Sequence, residues 1–243
     1  MTALEQLKAI LNKRYETEDG DDYQVELKQG LTDVQIDNLA KQLPSGRIPN
    51  DIRELLQFAS GFEFTGLDEI TFDGVGQFGL EKVFPHSVQL AGDGYGNFWI
   101  LDVDNKGNWG YVFYVCHDPA VVVKHSENLT EFIKHVDEFG KQGSRSHLDS
   151  IHEKTVMNIW SSENGFIDIE QARNSSDTTL KTFATHLPDN FVIADLRNKQ
   201  NGAGFAWGKF TPNIDNVIRH ETELLWGFEK QKKKGLLSKL FGR

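Results

Sequence analysis

The chain has 243 residues, of which 38% are hydrophobic and 26% charged, and its formal net charge at pH 7 is −10. These values are ordinary for a soluble globular protein, and no apolar run approaches the roughly 20 residues that span a bilayer. The acidic excess lies in residues 1–139, whose net charge is −13, and it disfavours nucleic-acid binding because phosphate contacts need clustered Lys and Arg. Cys116 is the only cysteine, which excludes an intramolecular disulfide and indicates a reducing, cytoplasmic location.

Apolar residues at helical spacing predict several helices in the first half of the chain. The first covers roughly residues 2–15. Thr32 and Asn128 each start a further helix, because each is followed three residues later by Gln or Glu in a capping-box pattern. Pro49 starts another helix between these two, since proline is favoured at the first helical position.

Aromatic and β-branched runs bounded by Gly, Asn and Asp predict antiparallel strands between these helices. The clearest pair is Phe98–Asp102 with Gly110–Cys116, preceded by a glycine-spaced turn at residues 91–97. Shorter strands are predicted around Glu69–Phe72 and Val121–Lys124. We therefore expect an α+β fold with an antiparallel or mixed sheet flanked by helices.

The polar, Gly/Ser-rich run at residues 140–146 has no apolar anchor and predicts a linker. It would separate a first domain, residues 1–139, from a smaller α+β domain, residues 147–228. In the second region the pattern predicts a helix over 177–187, a hairpin of 191–196 with 203–210, and an amphipathic helix over 213–228.

The last segment, residues 229–243, is predicted to be a basic amphipathic tail, and residues 228–243 carry a net charge of +5. Basic and apolar side chains lie next to each other there, namely Lys232, Lys233, Lys234, Leu236, Leu237, Leu240 and Phe241. This pattern is typical of a segment that touches a membrane surface weakly or binds a partner. A frayed, solvated terminus is the equal alternative.

Two glycine-containing motifs imitate ligand sites. Gly74–Gly79 spells the dinucleotide pattern G-x-G-x-x-G, but the residues after it are too few for the required helix before Pro85, so a loop is expected. Asp102–Gly107 imitates the start of a calcium loop, but Lys106 occupies a ligand position. We predict a hairpin turn there.

Cys116, His117 and Asp118 combine a nucleophile, a base and an acid, but adjacent strand residues point to opposite faces, so they cannot form a triad with each other. Cys116 is expected in the core. His147 and His152 are five residues apart, about 140° around a helix, which gives no metal site. We therefore predict no catalytic residue, metal or cofactor.

Several segments between residues 30 and 136 occur in the order and spacing of a known family. They are Leu31-Thr32 with the helix to Leu43, Ile48–Leu56, Ser60-Gly61-Phe62, Asp93–Asn97 with Phe98–Asp102, Tyr111–Asp118, and Phe132 in the closing helix. Together they resemble the SUKH superfamily, which includes fungal cell-wall assembly regulators and bacterial toxin-immunity proteins. Ser60 and Phe62 stand where that family usually has Asn and a second Gly, and nothing in residues 140–243 resembles it.

The resemblance implies a non-enzymatic, cytoplasmic module that binds another protein, as bacterial immunity proteins bind and neutralise a toxin domain. The negative charge would suit a basic toxin. The alternative implied by the fungal members is a regulator or scaffold in cell-wall assembly. A weaker alternative is an enzyme that uses carboxylates near the hairpin, Asp93, Asp102, Asp104 and Asp118.

For the partner-binding surface we predict one polar, aromatic-rimmed end of the hairpin. Its residues are Asp93, Tyr95, Asn97, Asp102, Asp104 and Trp109. Tyrosine and tryptophan supply contact area, and carboxylates steer a basic partner. The alternative is that Tyr95 and Trp109 only pack the ends of the hairpin. The sequence leaves the oligomeric state open.

Overall fold

The protein is described by a computed structural model, which covers residues 1–17, 19–67, 69–76, 79–162, 165–209 and 214–230. Within these residues the fold is α+β, as predicted, with helices and antiparallel strands along the chain. None of the helices in this part of the chain is long and apolar enough to cross a bilayer.

The first region alternates helices with short strands and ends in a meander and a long helix. In chain order it comprises α1 (Ala3–Ile10), β1 (Tyr15–Glu16), β2 (Asp22–Tyr23), β3 (Glu26–Leu27), α2 (Asp33–Ala40), α3 (Asn50–Phe58), β4 (Gly61–Glu63), β5 (Ile70–Thr71), β6 (Ser87–Gly92), β7 (Phe98–Val103), β8 (Trp109–His117), β9 (Ala120–Ser126) and α4 (Leu129–Gln142). The cap predicted at Thr32 is confirmed as a reciprocal capping box with Gln35. Asn128 also caps its helix, accepting a hydrogen bond from the Glu131 amide at 3.0 Å.

The second region adds short helices and a second sheet. Its elements are α5 (His147–Ser150), a π-helical segment (Ile151–Val156), α6 (Met157–Ser161), β10 (Phe166–Asp168), α7 (Ile169–Arg173), α8 (Thr178–Thr185), β11 (Phe191–Asp195), β12 (Gly204–Phe205), β13 (Val217–Arg219) and β14 (Leu225–Glu229). Asp177 caps α8, so the predicted helix over 177–187 is confirmed.

The central sheet has the order β12-β9-β8-β7-β6 in the described residues, and all of its pairs are antiparallel. The predicted hairpin is its middle: Phe98 pairs with Val115 and Leu101 with Val112. Side chains alternate between two apolar cores, because successive residues of a strand point to opposite faces. Trp99 and Tyr114 lie in the core beneath the helices, and Phe113 lies in the core beneath the C-terminal sheet.

The C-terminal sheet has the order β10-β11-β14-β13 among the described strands and covers the second face of the central sheet. Trp226 of β14 is fully buried against Phe113, with ring centroids 6.0 Å apart. Its indole Nε1 donates to the carbonyl oxygen of Val83 at 2.8 Å. Contacts between the first and second regions are therefore made by large aromatic side chains in one shared core.

Two predictions for the second region are wrong. The hairpin predicted from 191–196 and 203–210 does not form, since β11 pairs with β10 and β14 while β12 pairs with β9. The amphipathic helix predicted over 213–228 is mainly the antiparallel pair β13 and β14 in its described residues. Its apolar residues are buried on both faces of a strand, a pattern that helical spacing imitates.

Residues 140–146, predicted as a linker, are mainly helical. Helix α4 continues to Gln142, and a 3₁₀ turn over Gly143–Arg145 leads to Ser146, which caps α5. That the regions before and after this segment are two domains, each able to fold independently, stays a prediction.

Candidate functional site

A cleft with a volume of 580 Å³ opens at the end of the central sheet where β6 turns into β7 and β8 ends. The opposite wall is formed by Phe139 of α4 and by residues 148–153. Aromatic rings of Tyr95, Trp99, Tyr114 and Phe139 line it. We call this site the acidic cleft, because of the carboxylates described below.

The turn on one side of the acidic cleft is organised by Asp93. Its carboxylate accepts hydrogen bonds from the backbone amides of Tyr95 at 2.9 Å and Asn97 at 3.2 Å. It also accepts from the Asn97 side chain at 2.7 Å and from the hydroxyl of Tyr114 at 2.8 Å. An aspartate that folds its own backbone in this way is a common turn former.

Glycines on both sides of Tyr95 complete the turn. Gly94 and Gly96 have φ values of 76° and 87°, a region that residues with a Cβ rarely adopt. Tyr95 is therefore held outward and is 83% exposed. An exposed aromatic ring on a fixed turn is an effective contact group for a partner.

Asn97 connects this turn to the end of β8. Its side-chain oxygen accepts from the backbone amide of His117 at 3.1 Å and lies 2.9 Å from His117 Nδ1. Asn97 is itself buried, so its position is fixed by both strands. The network from Tyr114 through Asp93 and Asn97 to His117 makes this edge of the cleft rigid.

The acidic cleft is negatively charged. Asp93, Asp118, Asp149 and Glu153 line it, and no Lys or Arg is found among its described lining residues. Burial acts to raise the pKa of Asp93, but hydrogen bonds from Asn97, Tyr114 and the two turn amides outweigh it and lower that pKa. Burial and the bond to Asp93 raise the pKa of Tyr114. Asp93 is therefore an anion at neutral pH, and Tyr114 stays protonated.

A second, shallower groove with a volume of 680 Å³ adjoins the cleft and shares Leu67 with it. It lies beside β2, β3 and β4, and its acidic lining residues are Asp22, Glu26, Glu63 and Glu69. Arg14 also lines it, with its guanidinium 3.8 Å from the Asp22 carboxylate. The acidic surface thus continues beyond the cleft.

The six residues predicted to form one binding surface fall into two groups. Asp93, Tyr95 and Asn97 line the acidic cleft. Asp102, Asp104 and Trp109 lie at the other end of β7, next to other cavities. At about 3.3 Å per strand residue the two ends are on the order of 20 Å apart, so one small site does not hold both groups. Their role in partner binding stays a prediction.

Asp102 forms a buried ion pair rather than an exposed charge. Its carboxylate lies 2.6 Å from Arg219 of β13, and the two side chains are 7% and 8% exposed. Burial raises the pKa of Asp102, and Arg219 opposes that rise. The guanidinium also stacks over Trp226 at 4.1 Å from the ring centroid. This pair fastens the C-terminal sheet to the central sheet.

The neighbouring turn at Asp104 is a hairpin turn, as predicted. Asp104 accepts hydrogen bonds from the amides of Lys106 and Asn108 at 2.8 and 2.9 Å. Trp109, at the start of β8, is half-buried and packs against the core beneath the helices.

Cys116 lies in the core, as predicted, and burial is the main cause that raises its pKa to about 11. A thiol with that pKa is not the reactive form at neutral pH. The glycine-rich run ending at Gly79 leads into a turn over residues 81–83 and not into a helix. These two motifs therefore have the structures that the sequence predicted.

Sequence reasoning missed the opposite wall of the cleft, which includes Phe139, Asp149 and Glu153. Ser146 followed by Asp149 was a helix-start signal, and the Ser146 hydroxyl does accept from the Asp149 amide at 3.1 Å. The tail residues predicted to contact a membrane or partner, Lys232–Lys234, Leu236, Leu237, Leu240 and Phe241, lie outside the described residues.

No curated protein and no solved structure matches the chain. The sequence model of the SMI1 / KNR4 family (SUKH-1) matches residues 30–135. This range begins just before α2 and ends within α4, so it contains the meander and the turn at Asp93. Residues 30–135 are therefore similar to a SUKH-superfamily domain.

Proposed function

We propose that the protein is a non-enzymatic binding module that neutralises a basic toxin domain by holding it in the acidic cleft. One observation carries the proposal: four carboxylates and an 83%-exposed tyrosine surround a concave site with no Lys or Arg among its described lining residues. Such a surface is complementary to a basic protein segment.

The family match supports a binding role. SUKH-1 membership is compatible with an immunity protein or a cell-wall regulator, and members of the family interact with other proteins. The immunity role is favoured here because the acidic surface continues from the cleft into the adjoining groove. A long acidic surface accelerates encounter with a positively charged partner through electrostatic steering.

The chemistry of the cleft supports binding over catalysis. Asp93 is occupied by four hydrogen bonds that fold the turn, and therefore it lacks a free position for proton transfer. Asp149 and Glu153 are exposed at the rim of the cleft, where a partner can reach them. Exposed carboxylates next to aromatic rings suit recognition of Lys and Arg side chains.

The test begins with the genes next to this one: a toxin domain encoded there is purified in an inactive form, and its binding is measured by calorimetry and stopped-flow mixing. Tyr95→Ala is expected to weaken binding by about 2 kcal/mol or more, the value for a central contact residue. Glu153→Lys is expected to slow association and to reduce its dependence on salt. Glu54→Lys is the matched control, because it makes the same charge change on the exposed face of α3.

A second measurement separates immunity from other binding roles: survival of cells that express the active toxin together with each variant. Wild-type protein and Glu54→Lys should protect, whereas Tyr95→Ala and Glu153→Lys should protect less. Equal binding and equal protection by all variants would place the interface elsewhere. Absence of protection by the wild type would reject the immunity role.

A further inference from the structure

Three histidines from three different elements meet where β9, α4 and α5 come together. They are His125 of β9, His135 of α4 and His147 at the first position of α5. One ring nitrogen of each lies within 4.8 Å of those of the other two, the only such group of three among the described residues. The ring centroids are 4.9 to 5.6 Å apart.

His125 provides a second and independent observation. It is fully buried, and its Nε2 has no hydrogen-bond partner among the described residues. A buried polar atom without a partner costs free energy, so native proteins normally satisfy such atoms with a protein group, a water molecule or an ion. The neighbouring imidazoles make an ion a suitable partner.

The Ser126 hydroxyl contacts two of the three rings and fixes their orientation. Its hydroxyl oxygen lies 2.7 Å from His125 Nδ1 and 3.2 Å from His135 Nδ1. When both Nε2 atoms bind a cation, both Nδ1 atoms carry hydrogen and donate to the two lone pairs of this oxygen. Metal-bound histidines commonly have their other nitrogen fixed by such a partner.

The electrostatics of the site favour a cation. Glu131 and Glu138 lie one turn to either side of His135 on α4, and both act on His135 and His147 as negative charges.

We propose that His125, His135 and His147 bind one divalent transition-metal ion of the zinc type. Imidazole nitrogen is a ligand for zinc and its neighbours, whereas calcium and magnesium require oxygen ligands. Zinc bound tetrahedrally at about 2.0–2.1 Å places its nitrogen ligands about 3.4 Å apart, so inward shifts of about 1 Å suffice. His147 is exposed, and the fourth coordination position opens to solvent on its side.

The site is separate from the acidic cleft and does not rest on the proposed function. His147 directly precedes Leu148 and Asp149, which line that cleft. A bound ion would connect α5 to α4 and β9 and thereby fix the wall that these two residues form.

The test titrates the full-length, chelator-stripped protein with Zn²⁺ by calorimetry and with Co²⁺ by visible absorption. We expect one equivalent of Zn²⁺, Co²⁺ bands typical of low coordination number, and a higher melting temperature with Zn²⁺ but not with Mg²⁺. His147→Ala is expected to weaken Zn²⁺ binding by more than about 100-fold, and Ser126→Ala by about 10–100-fold.

His186→Ala is the matched control, because His186 is exposed at the C-terminal cap of α8, outside the cluster, and its substitution should leave Zn²⁺ affinity unchanged. Circular dichroism of the metal-free variants checks that each is folded, and His147 is preferred for substitution because its exposure makes misfolding less of a concern. Failure of the wild type to bind Zn²⁺ would overturn the proposal. So would equal Zn²⁺ affinity in His147→Ala and His186→Ala.

Discussion

The two faces of the central sheet are covered in different ways. One face packs against helices, some of which (α2 and α3) lie within the SUKH match and others (α1, α5 and α6) outside it, and it carries Trp99, Leu101 and Tyr114. The other carries Ile100 and Phe113 and is covered mainly by strands from residues 191–228, outside the match, with Leu80, Val83 and Phe84 from inside it. Both faces are equally apolar, so the strands require cover on both sides.

This difference shows that the matched region, residues 30–135, does not complete its own core in this chain. A sheet with one solvated face alternates apolar and polar residues, whereas β7 and β8 are apolar at nearly every position. The C-terminal sheet supplies the missing layer, with Trp226 and Phe228 at its centre. The following predictions test how far the two faces depend on their different covers.

The largest effect is expected from truncation after Arg145, which removes the C-terminal sheet and leaves only Leu80, Val83 and Phe84 packed on the second face. Phe113, Ile100 and Val115 would become exposed, and each buried apolar side chain of this size contributes about 1.5–3 kcal/mol. Together with their neighbours they exceed a typical stability of about 5–15 kcal/mol. We expect an insoluble or dye-binding fragment without a cooperative thermal transition.

Truncation after Lys230 is the control, since it removes only residues outside the described part of the chain and should leave the melting temperature nearly unchanged. A soluble 1–145 fragment with a cooperative transition would instead support the predicted boundary at residues 140–146.

The next effect concerns the polar anchor of the second face, the buried pair of Asp102 and Arg219. Arg219→Met leaves a buried carboxylate without its partner and should lower the free energy of unfolding by about 3–5 kcal/mol, measured with urea. Changing both residues, Asp102→Leu with Arg219→Met, should cost less than the single change, because no unpaired charge remains. Arg14→Met in an exposed pair should cost at most about 1 kcal/mol. Equal losses for both arginine variants would contradict the anchor.

The smallest effect concerns the polar anchor of the helix-covered face, the bond between Asp93 and Tyr114. Asp93→Asn should lower the free energy of unfolding at neutral pH by about 1–3 kcal/mol, since charged hydrogen bonds are weakened. The pKa of Asp93 is lowered in the folded state, so its contribution is present above the unfolded pKa and is lost as pH falls through the folded pKa.

Urea titrations from neutral to acidic pH should therefore show that the difference in free energy of unfolding between wild type and Asp93→Asn becomes smaller as pH falls. Asp104→Asn changes the equivalent turn, which lacks the tyrosine bond, and should cost less at neutral pH. If this difference in free energy stays constant with pH, Asp93 stabilises the turn through its shape and not through its charge.

Local signals predicted the first region well, because caps and turns are decided by a few neighbouring residues. Thr32 and Asn128 start their helices, and the turns at Asp93 and Asp104 form where they are predicted. Strand β6 was missed because its last residues had been assigned to the turn that follows it.

The C-terminal error has a tertiary cause. Leu225 and Trp226 are adjacent, and they are buried in different cores on opposite faces of β14. Gly227 follows them in the strand, and a Cβ there would come within 2.7 Å of the Leu187 side chain. Helical spacing of apolar residues cannot reveal such contacts, which depend on distant parts of the chain.

The candidate sites depended on long-range contacts even more. The sequence placed Asp93 and Asp102 on one surface because both adjoin the hairpin, but strand direction separates them. The histidine cluster joins residues 125, 135 and 147 from three elements, and comparing His147 with His152 along one helix could not find it.

Strand β12 has a consequence for aggregation. Gly204 and Phe205 pair with Val123 and Val122, and so they cover the hydrogen-bonding edge of β9, an apolar strand that would otherwise recruit strands from other molecules. A Cβ at Gly204 would lie 2.0 Å from the Val122 carbonyl oxygen, which leaves no room for a larger residue. Gly204 and Phe205, which lie outside the matched residues, therefore protect the protein against edge-to-edge association.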